Sequence, residues 1–446
     1  WTEDRPSIPM ENLFIHDLAF AGRSVKEKLD QVLEQMEKNK ADYYIVSALD
    51  SIAWLLNLRG NDVSYIPVFI SYLLVSKSSV TLFIDQTKIT DEVKAYLEEN
   101  NILVKGYEEI FQELEGISAE HSVLVDNKKN SYAIYSAIKN GRIVSKDDII
   151  AKLKAVKNSV EIENIKKTYV KDGVAMVNFL YWLDTNIGKN EITELDVAEK
   201  LLEFRKEQEH CLGASFDTIA GYNANAAMMH YMATPENHAV LKPEGFLLVD
   251  SGGQYLSGTT DITRTMVLGD ITEEQRRDFT LVLKSNIAIA TAVFLEGSTG
   301  KSLDALARQP LWKYHINYKC GTGHGIGFCL SVHEGPHGFG VDVPLEPGML
   351  LTIEPGVYKE NRYGIRTENT VVVVKDKYDE DSGQFYRFEM LCYCPIDIRA
   401  IDVSLLDQHE IDWINDYHKD VYNVLSPYLG EEQKNWLKKM TAEIGG

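Results

Sequence analysis

The stretch from Phe246 to Val267, FLLVDSGGQYLSGTTDITRTMV, decides the fold. Phe246 to Val249 is an apolar run that ends in Asp250, and Ser251-Gly252-Gly253 is a turn signal. Thr259-Thr260-Asp261 then opens a second β-rich run, Ile262 to Val267. A hairpin turning near Tyr255–Gly258 would bring Asp250 and Asp261 roughly opposite each other. Two carboxylates so placed repel unless a proton or a cation sits between them. A turn aspartate and a strand-end aspartate with no shared role would read the same way from this stretch alone.

The arrangement recurs downstream. Leu351-Thr352-Ile353-Glu354 is a second apolar run ending in a carboxylate, punctuated by Pro355-Gly356. After a polar excursion through Asn361 and Gly364, Ile365-Arg366-Thr367-Glu368 leads into Val371 to Val374. That reads as a second hairpin with a second pair of acids. Between the two lies Gly321-Thr322-Gly323-His324-Gly325-Ile326-Gly327. It lacks the GxxxxGK[ST] pattern and an acidic ribose partner, so it is not a phosphate loop. Glycines flanking His324 instead let the backbone pack closely around it. His333 follows in Val332-His333-Glu334-Gly335-Pro336. If Asp250, Asp261, Glu354 and Glu368 meet, they carry about four negative charges, which two divalent cations would balance. Oxygen donors with one imidazole suit Mn²⁺, Co²⁺ or Zn²⁺ better than a metal selected by thiolates.

Away from this window, strands and helices interleave. Ser24-x-x-Glu27 is a capping box opening a helix to about Asn39. Asp42–Ser47 reads as a strand, Ile52–Leu58 as an apolar helix, and Phe69–Val75 with Val80–Ile84 as a hairpin. Thr90 opens a charged helix, and Ile102–Val104 and Ser122–Val125 read as strands. A Lys-rich polar stretch near 155 marks a boundary. Asn158-x-x-Glu161 then caps a long helix whose apolar stripe is Ile162, Ile165, Tyr169, Val170, Val174, Val177 and Leu180. Asp407-x-x-Glu410 caps another helix to about Leu425, and a last one follows near Glu431.

Composition bounds the function. With 446 residues, the prior is two to three domains at roughly 150 residues each. The 67 acidic against 46 basic residues leave a net charge of −21, which argues against nucleic acid and against anionic membrane as partners. The longest apolar stretch, Tyr65–Val75, is too short to span a bilayer. Five cysteines, Cys211, Cys320, Cys329, Cys392 and Cys394, are few and odd in number. They read as free thiols in a reducing, cytoplasmic setting.

In order and spacing, five motifs resemble those of the peptidase clan of methionine aminopeptidase, prolidase and aminopeptidase P. They are Asp250 to Asp261, Gly321 to Gly327, Val332 to Pro336, Ile353-Glu354-Pro355-Gly356 and Gly364 to Glu368. The likeness is greatest to the Xaa-Pro aminopeptidases of the long cytosolic type and runs along essentially the whole chain. Cys394 to Asp397, Asp402 to Leu406 and the last helices resemble that subfamily's C-terminal extension. The resemblance implies an α/β (α+β) fold. Its pita-bread catalytic domain, two related halves around a dinuclear site, would cover 156–446, with the extension from about 388. A smaller α/β creatinase-like domain would cover 1–155.

The same resemblance implies that Asp250, Asp261, His324, Glu354 and Glu368 are ligands of two divalent metal ions, manganese first, with zinc or cobalt as alternatives. Asp261 and Glu368 would bridge both ions, and Glu354 would also shuttle the proton of a bridging hydroxide. His230, in Met229-His230-Tyr231, and His333 match substrate-contacting histidines that would steady the oxyanion, and Arg366 and Tyr358 match second-layer or substrate-pocket positions. The implied reaction removes an N-terminal residue from peptides with a penultimate proline, by a homodimer. Prolidase is the near alternative, and a catalytically inactive pita-bread binding module the distant one. Two departures stand out. Cys320 replaces a histidine often found four residues before the metal histidine. And Trp1-x-x-Asp4-Arg5-Pro6 resembles the start of the second of three domains, so a truncated chain is expected.

Overall fold

The computed structural model describes residues 3–445, so Trp1 of the opening motif lies outside the described residues. Two compact units result: the chain up to Lys154 together with Asn158–Glu161, and Ala155–Lys157 together with Ile162 onward.

In the first unit a mixed sheet runs in the order Ile102–Lys105, Val80–Phe83, Tyr72–Ser76, Tyr43–Val46, Ser122–Val125, Arg142–Ser145. Tyr72–Ser76 pairs antiparallel with both neighbours, and the remaining pairings are parallel. Ile45, Leu74, Phe83, Val123 and Val125 pack with Ile110, Leu114 and Ile134 into one core. Ser24 and Glu27 close the capping box of the Val25–Lys38 helix. Two local readings shift. The apolar helix is Leu49–Leu56, because Asn57 adopts a left-handed conformation (φ 49°) and sends Leu58–Arg59 into a strand with Phe14–Ile15. The Tyr72 strand starts later than the apolar run suggests, because Asp62 Oδ2 takes the Ile70 N–H at 2.6 Å.

In the second unit, Ile219–Tyr222, Phe246–Ser251 and Ile262–Val267 form an antiparallel sheet. A larger one runs Val293–Leu295, Gly383–Met390, Asn369–Asp379, Leu350–Ile353, His324–Gly325, Glu334–Gly338. Its core gathers Leu351, Ile353, Val371, Val373 and Phe388 beneath Ile289, Leu303 and Ala307 of two helices, Glu273–Ala290 and Gly300–Trp312. The long Ser159–Asn186 helix is buried on more than its apolar stripe. Asp172, seven residues after Ile165 and three after Tyr169 of that stripe, forms a buried bidentate pair with Arg205 at 2.8 and 3.2 Å. The ion pair lets an acid go inside beside apolar neighbours, where periodicity gives no sign of its partner. Among the described residues, no helix is long and apolar enough to cross a membrane, and all five cysteines are free thiols.

Candidate metal centre

Strand alternation assembles the acids. Phe246–Ser251 pairs with Ile262–Val267 so that Asp250 faces Thr263 and Ser251 faces Ile262, and the chain turns at Tyr255–Gly258. Asp250 and Asp261 are thus two residues out of register, not directly opposite. The period of two nevertheless gives Asp261 and Thr263 one face, the face shared with Asp250. The second pair is built differently from the single hairpin the sequence suggests. Gly356–Lys359 pairs with Tyr363–Arg366 as its own hairpin, and Leu350–Ile353 pairs with the strand starting at Asn369. Ile353 faces Asn369, so Glu354 and Glu368 flank that pair from just outside the ladder.

Side-chain contacts close the group. Ligand atoms of Asp261, His324 and Glu368 lie within 4.8 Å of one another. His324 Nε2 stands 3.3 Å from Asp261 Oδ2 and 3.6 Å from Glu354 Oε1. His324 Nδ1 lies 3.0 Å from the Gly325 carbonyl; a proton donated there leaves Nε2 free to ligate. Thr263 donates to Glu368 Oε2 at 2.8 Å and Thr352 to Glu354 Oε1 at 3.2 Å. Asp250 is tied in through Arg366, whose Nη2 donates to Oδ2 at 2.6 Å.

This crowding is electrostatically costly. Burial, with the charges of Asp250 and Glu354, pushes Asp261 up to about 7 despite its hydrogen bond to His324. Burial and the Asp261, Asp250 and Glu354 charges hold Glu368 well above the usual carboxylate range. Glu354 is raised by burial too, against the pull of His324 and Arg366. Burial alone would lower His324, but Asp261 and Glu354 lift it to about 9. Asp250 Oδ1 is buried without a hydrogen-bond partner. Oxygen-rich, anionic, with an unsatisfied carboxylate oxygen and an oriented imidazole, the site suits hard or borderline divalent cations.

Around it, His333 packs edge-on against His324 with ring centroids 4.2 Å apart. His333 is exposed, yet desolvation beside the site, with the His324 and His230 charges, pushes its imidazole down to about 4, so its ring is neutral near pH 7. His230 is exposed on the loop after the Asn223–Ala227 turn. All three donor nitrogens of Arg366 meet protein oxygens: Asp250, Thr263 at 3.1 Å and the Tyr358 hydroxyl at 2.8 Å. Cys320 is partly buried, and burial with the nearby Glu354 charge raises its thiol.

Two supporting residues escape sequence reading. Arg264 donates to the backbone carbonyls of Thr263 and Glu368 at 2.9 and 2.6 Å, and to Asn369, Cys394, Pro395 and Tyr417. It binds the acid-bearing strands to the C-terminal region. Asn286 donates to the carbonyls of Ile353 and Thr367, each one residue before a candidate ligand, at 2.8 and 3.1 Å. Neither sits in a motif whose spacing betrays a partner more than 60 residues away.

Residues 4–161 match the Creatinase/Prolidase N-terminal domain, 163–375 match Metallopeptidase family M24, and 384–444 match the C-terminal region of that peptidase family. A probable Xaa-Pro aminopeptidase P of Sordaria macrospora is 41% identical over 465 aligned positions, covering 99% of this chain and 75% of that protein. Among solved structures, the X-prolyl aminopeptidase of Caenorhabditis elegans, described as a cytosolic enzyme with a di-nuclear active site, superposes with a TM-score of 0.96 at 32% identity. That match covers 100% of this chain and 75% of the other. The Xaa-Pro dipeptidase of Bacillus anthracis (TM-score 0.67, 22% identity, 84% and 99% covered) shares the fold.

Proposed function

The chain belongs to metallopeptidase family M24, with a creatinase-type domain ahead of a pita-bread domain, and on that premise we propose that it is a dinuclear Xaa-Pro aminopeptidase. It removes the first residue from peptides whose second residue is proline. The observation that carries this is the meeting of Asp261, His324 and Glu368 within 4.8 Å, in a chain 41% identical to a probable Xaa-Pro aminopeptidase P.

Asp250, Asp261, His324, Glu354 and Glu368 would hold two divalent cations, manganese first, zinc or cobalt otherwise. Bound there, the cations would offset the four carboxylates, polarise the scissile carbonyl and acidify a water. The chain's own groups do the rest. The Xaa-Pro bond is a tertiary amide with no N–H, so recognition rests on shape and on its carbonyl. His333, neutral and beside His324, and His230 donate to the oxygen as negative charge develops. Glu354, 3.6 Å from His324, takes the proton of the attacking water and delivers it to the proline nitrogen as it leaves. We read Arg366 as the clamp on Asp250 and Tyr358 as its partner, placing both behind the substrate. Free thiols, and the cytosolic setting of the C. elegans enzyme, favour a cytoplasmic location. The net charge of −21 disfavours nucleic acid and anionic membrane as partners. A homodimer completes the reading, and sedimentation velocity tests it.

The deciding experiment compares Ala-Pro-Ala with Ala-Pro on metal-loaded protein, alongside elemental analysis. Release of alanine from the tripeptide with near two metals per chain supports the proposal. Cleavage of the dipeptide alone replaces it with a prolidase, and no metal with a binding role.

A further inference from the structure

His230 sits on a loop, and one buried acid outside the metal group organises that loop. Glu194 lies in the first turn of the Glu194–Lys206 helix and is 0% exposed. Its carboxylate accepts from the backbone N–H of Tyr222 at 2.7 Å and of Ala239 at 2.7 Å, so it pins both ends of the segment. It also accepts from Asn225 Nδ2 at 2.9 and 3.1 Å and from the Tyr231 hydroxyl at 2.8 Å, so it pins the middle. Its own N–H donates to the Ala239 carbonyl at 3.1 Å. Asn225 donates on to the Tyr231 hydroxyl at 3.0 Å, closing a ring of polar groups. An ionised carboxylate has about four lone-pair sites, and these donors fill them, which is how the acid tolerates burial.

Tyr231 is 4% exposed, while its neighbour His230 is exposed. Anchoring Tyr231 inward leaves the adjacent His230 side chain exposed. The same segment abuts the hairpin that carries Arg366, since a Cβ on Gly364 would lie 1.8 Å from the Ala226 carbonyl oxygen.

We infer that Glu194 is a positioning residue for the reaction, setting the pose of His230 through Tyr231 without touching substrate. The inference rests on His230 acting on the substrate, as proposed above. Replacing the carboxylate by an amide turns one acceptor into an NH₂ that faces donors, which frees the loop without emptying the space.

The test is a double-variant cycle on metal-loaded protein with Ala-Pro-Ala: wild type, Glu194→Gln, His230→Ala and both together, with metal content read in each. Glu194→Gln should lower kcat by roughly 10- to 100-fold with KM nearly unchanged and the metal content intact. Added to His230→Ala it should cost less than about twofold more, because the group it positions is gone. Multiplicative losses, an unchanged kcat for Glu194→Gln, or loss of metal would overturn the inference alone. A silent His230→Ala would overturn the role of His230 and the inference with it. If Glu194→Gln does not fold, Tyr231→Phe, which deletes one hydroxyl, enters the same cycle with the same expectations at smaller amplitude.

Discussion

Arg366 Nη2 and Asp250 Oδ2 are 2.6 Å apart, and both side chains are buried. The same guanidinium reaches Thr263, which in turn donates to Glu368. One fork therefore orients two of the candidate ligands, one directly and one through a hydroxyl. It also occupies Oδ2 of Asp250, so Oδ1 is the oxygen that lacks a hydrogen-bond partner.

Lysine keeps the charge but not the fork. Arg366→Lys should retain the fold and weaken metal binding by roughly 10- to 100-fold, the usual cost of losing a group that orients a ligand. Calorimetric titration of the metal-free protein with Mn²⁺ measures this. Wild-type affinity in the variant would remove Arg366 from the metal's support.

Glu368→Ala removes a proposed ligand itself. Turnover of Ala-Pro-Ala should fall by more than about 100-fold, beyond what losing an orienting group costs. Metal content should fall with it. Full activity in this variant would dismantle the site assignment.

His418 predicts an acid weakness. Burial, with the Arg264 charge, pushes its imidazole down to about 4 from an ordinary 6.5. Its Nε2 accepts the Ile396 N–H at 3.1 Å, which requires the neutral ring. Above pH 6.5 neither the native nor the unfolded chain protonates it, and the stability is fully present. As pH falls from 6.5 to 4, the unfolded chain binds a proton that the native state refuses, so stability is lost by up to about 3 kcal/mol. His418→Gln keeps an acceptor and cannot titrate. Its thermal midpoint should therefore fall less than that of wild type between pH 7 and pH 4.5; parallel curves would refute the assignment.

Gly364 has no room for a side chain. A Cβ would meet Ala226 O at 1.8 Å and Ala226 C at 2.3 Å, both backbone atoms that cannot rotate away. Gly364→Ala should cost about 1–3 kcal/mol as overpacking, and should lower activity because Arg366 is two residues along the same strand. Thermal unfolding and turnover read the two effects. A variant with both unchanged would mean that this close approach is absent in solution.

The parts of the site that were legible in the sequence share a cause. Asp250, Asp261, Glu354 and Glu368 each end or open an apolar β-rich run beside turn residues, and such signals are local. The turn at Tyr255–Gly258 emerges where the sequence puts it, and so do the capping boxes at Ser24, Asn158 and Asp407. The pairing partners were less legible. Nothing within residues 351–374 says that Tyr363–Arg366 pairs back on Gly356–Lys359 while Asn369 continues beside Ile353, since both registers satisfy the same alternation.

By itself, then, the sequence singled out Asp250, Asp261, His324, Glu354 and Glu368 as candidate ligands and placed them all in the second of two α/β segments, because turn chemistry and residue period act over a few positions. Only the tertiary structure decided what holds those side chains in place. Arg264 spans to Tyr417, Asn286 to Ile353 and Thr367, and Glu194 to Tyr231 and Ala239. A buried charge or amide is chosen by the donors and acceptors that the fold brings to it from far along the chain. Until those arrive, Glu194 is indistinguishable from any of the other acids that make this chain so negative.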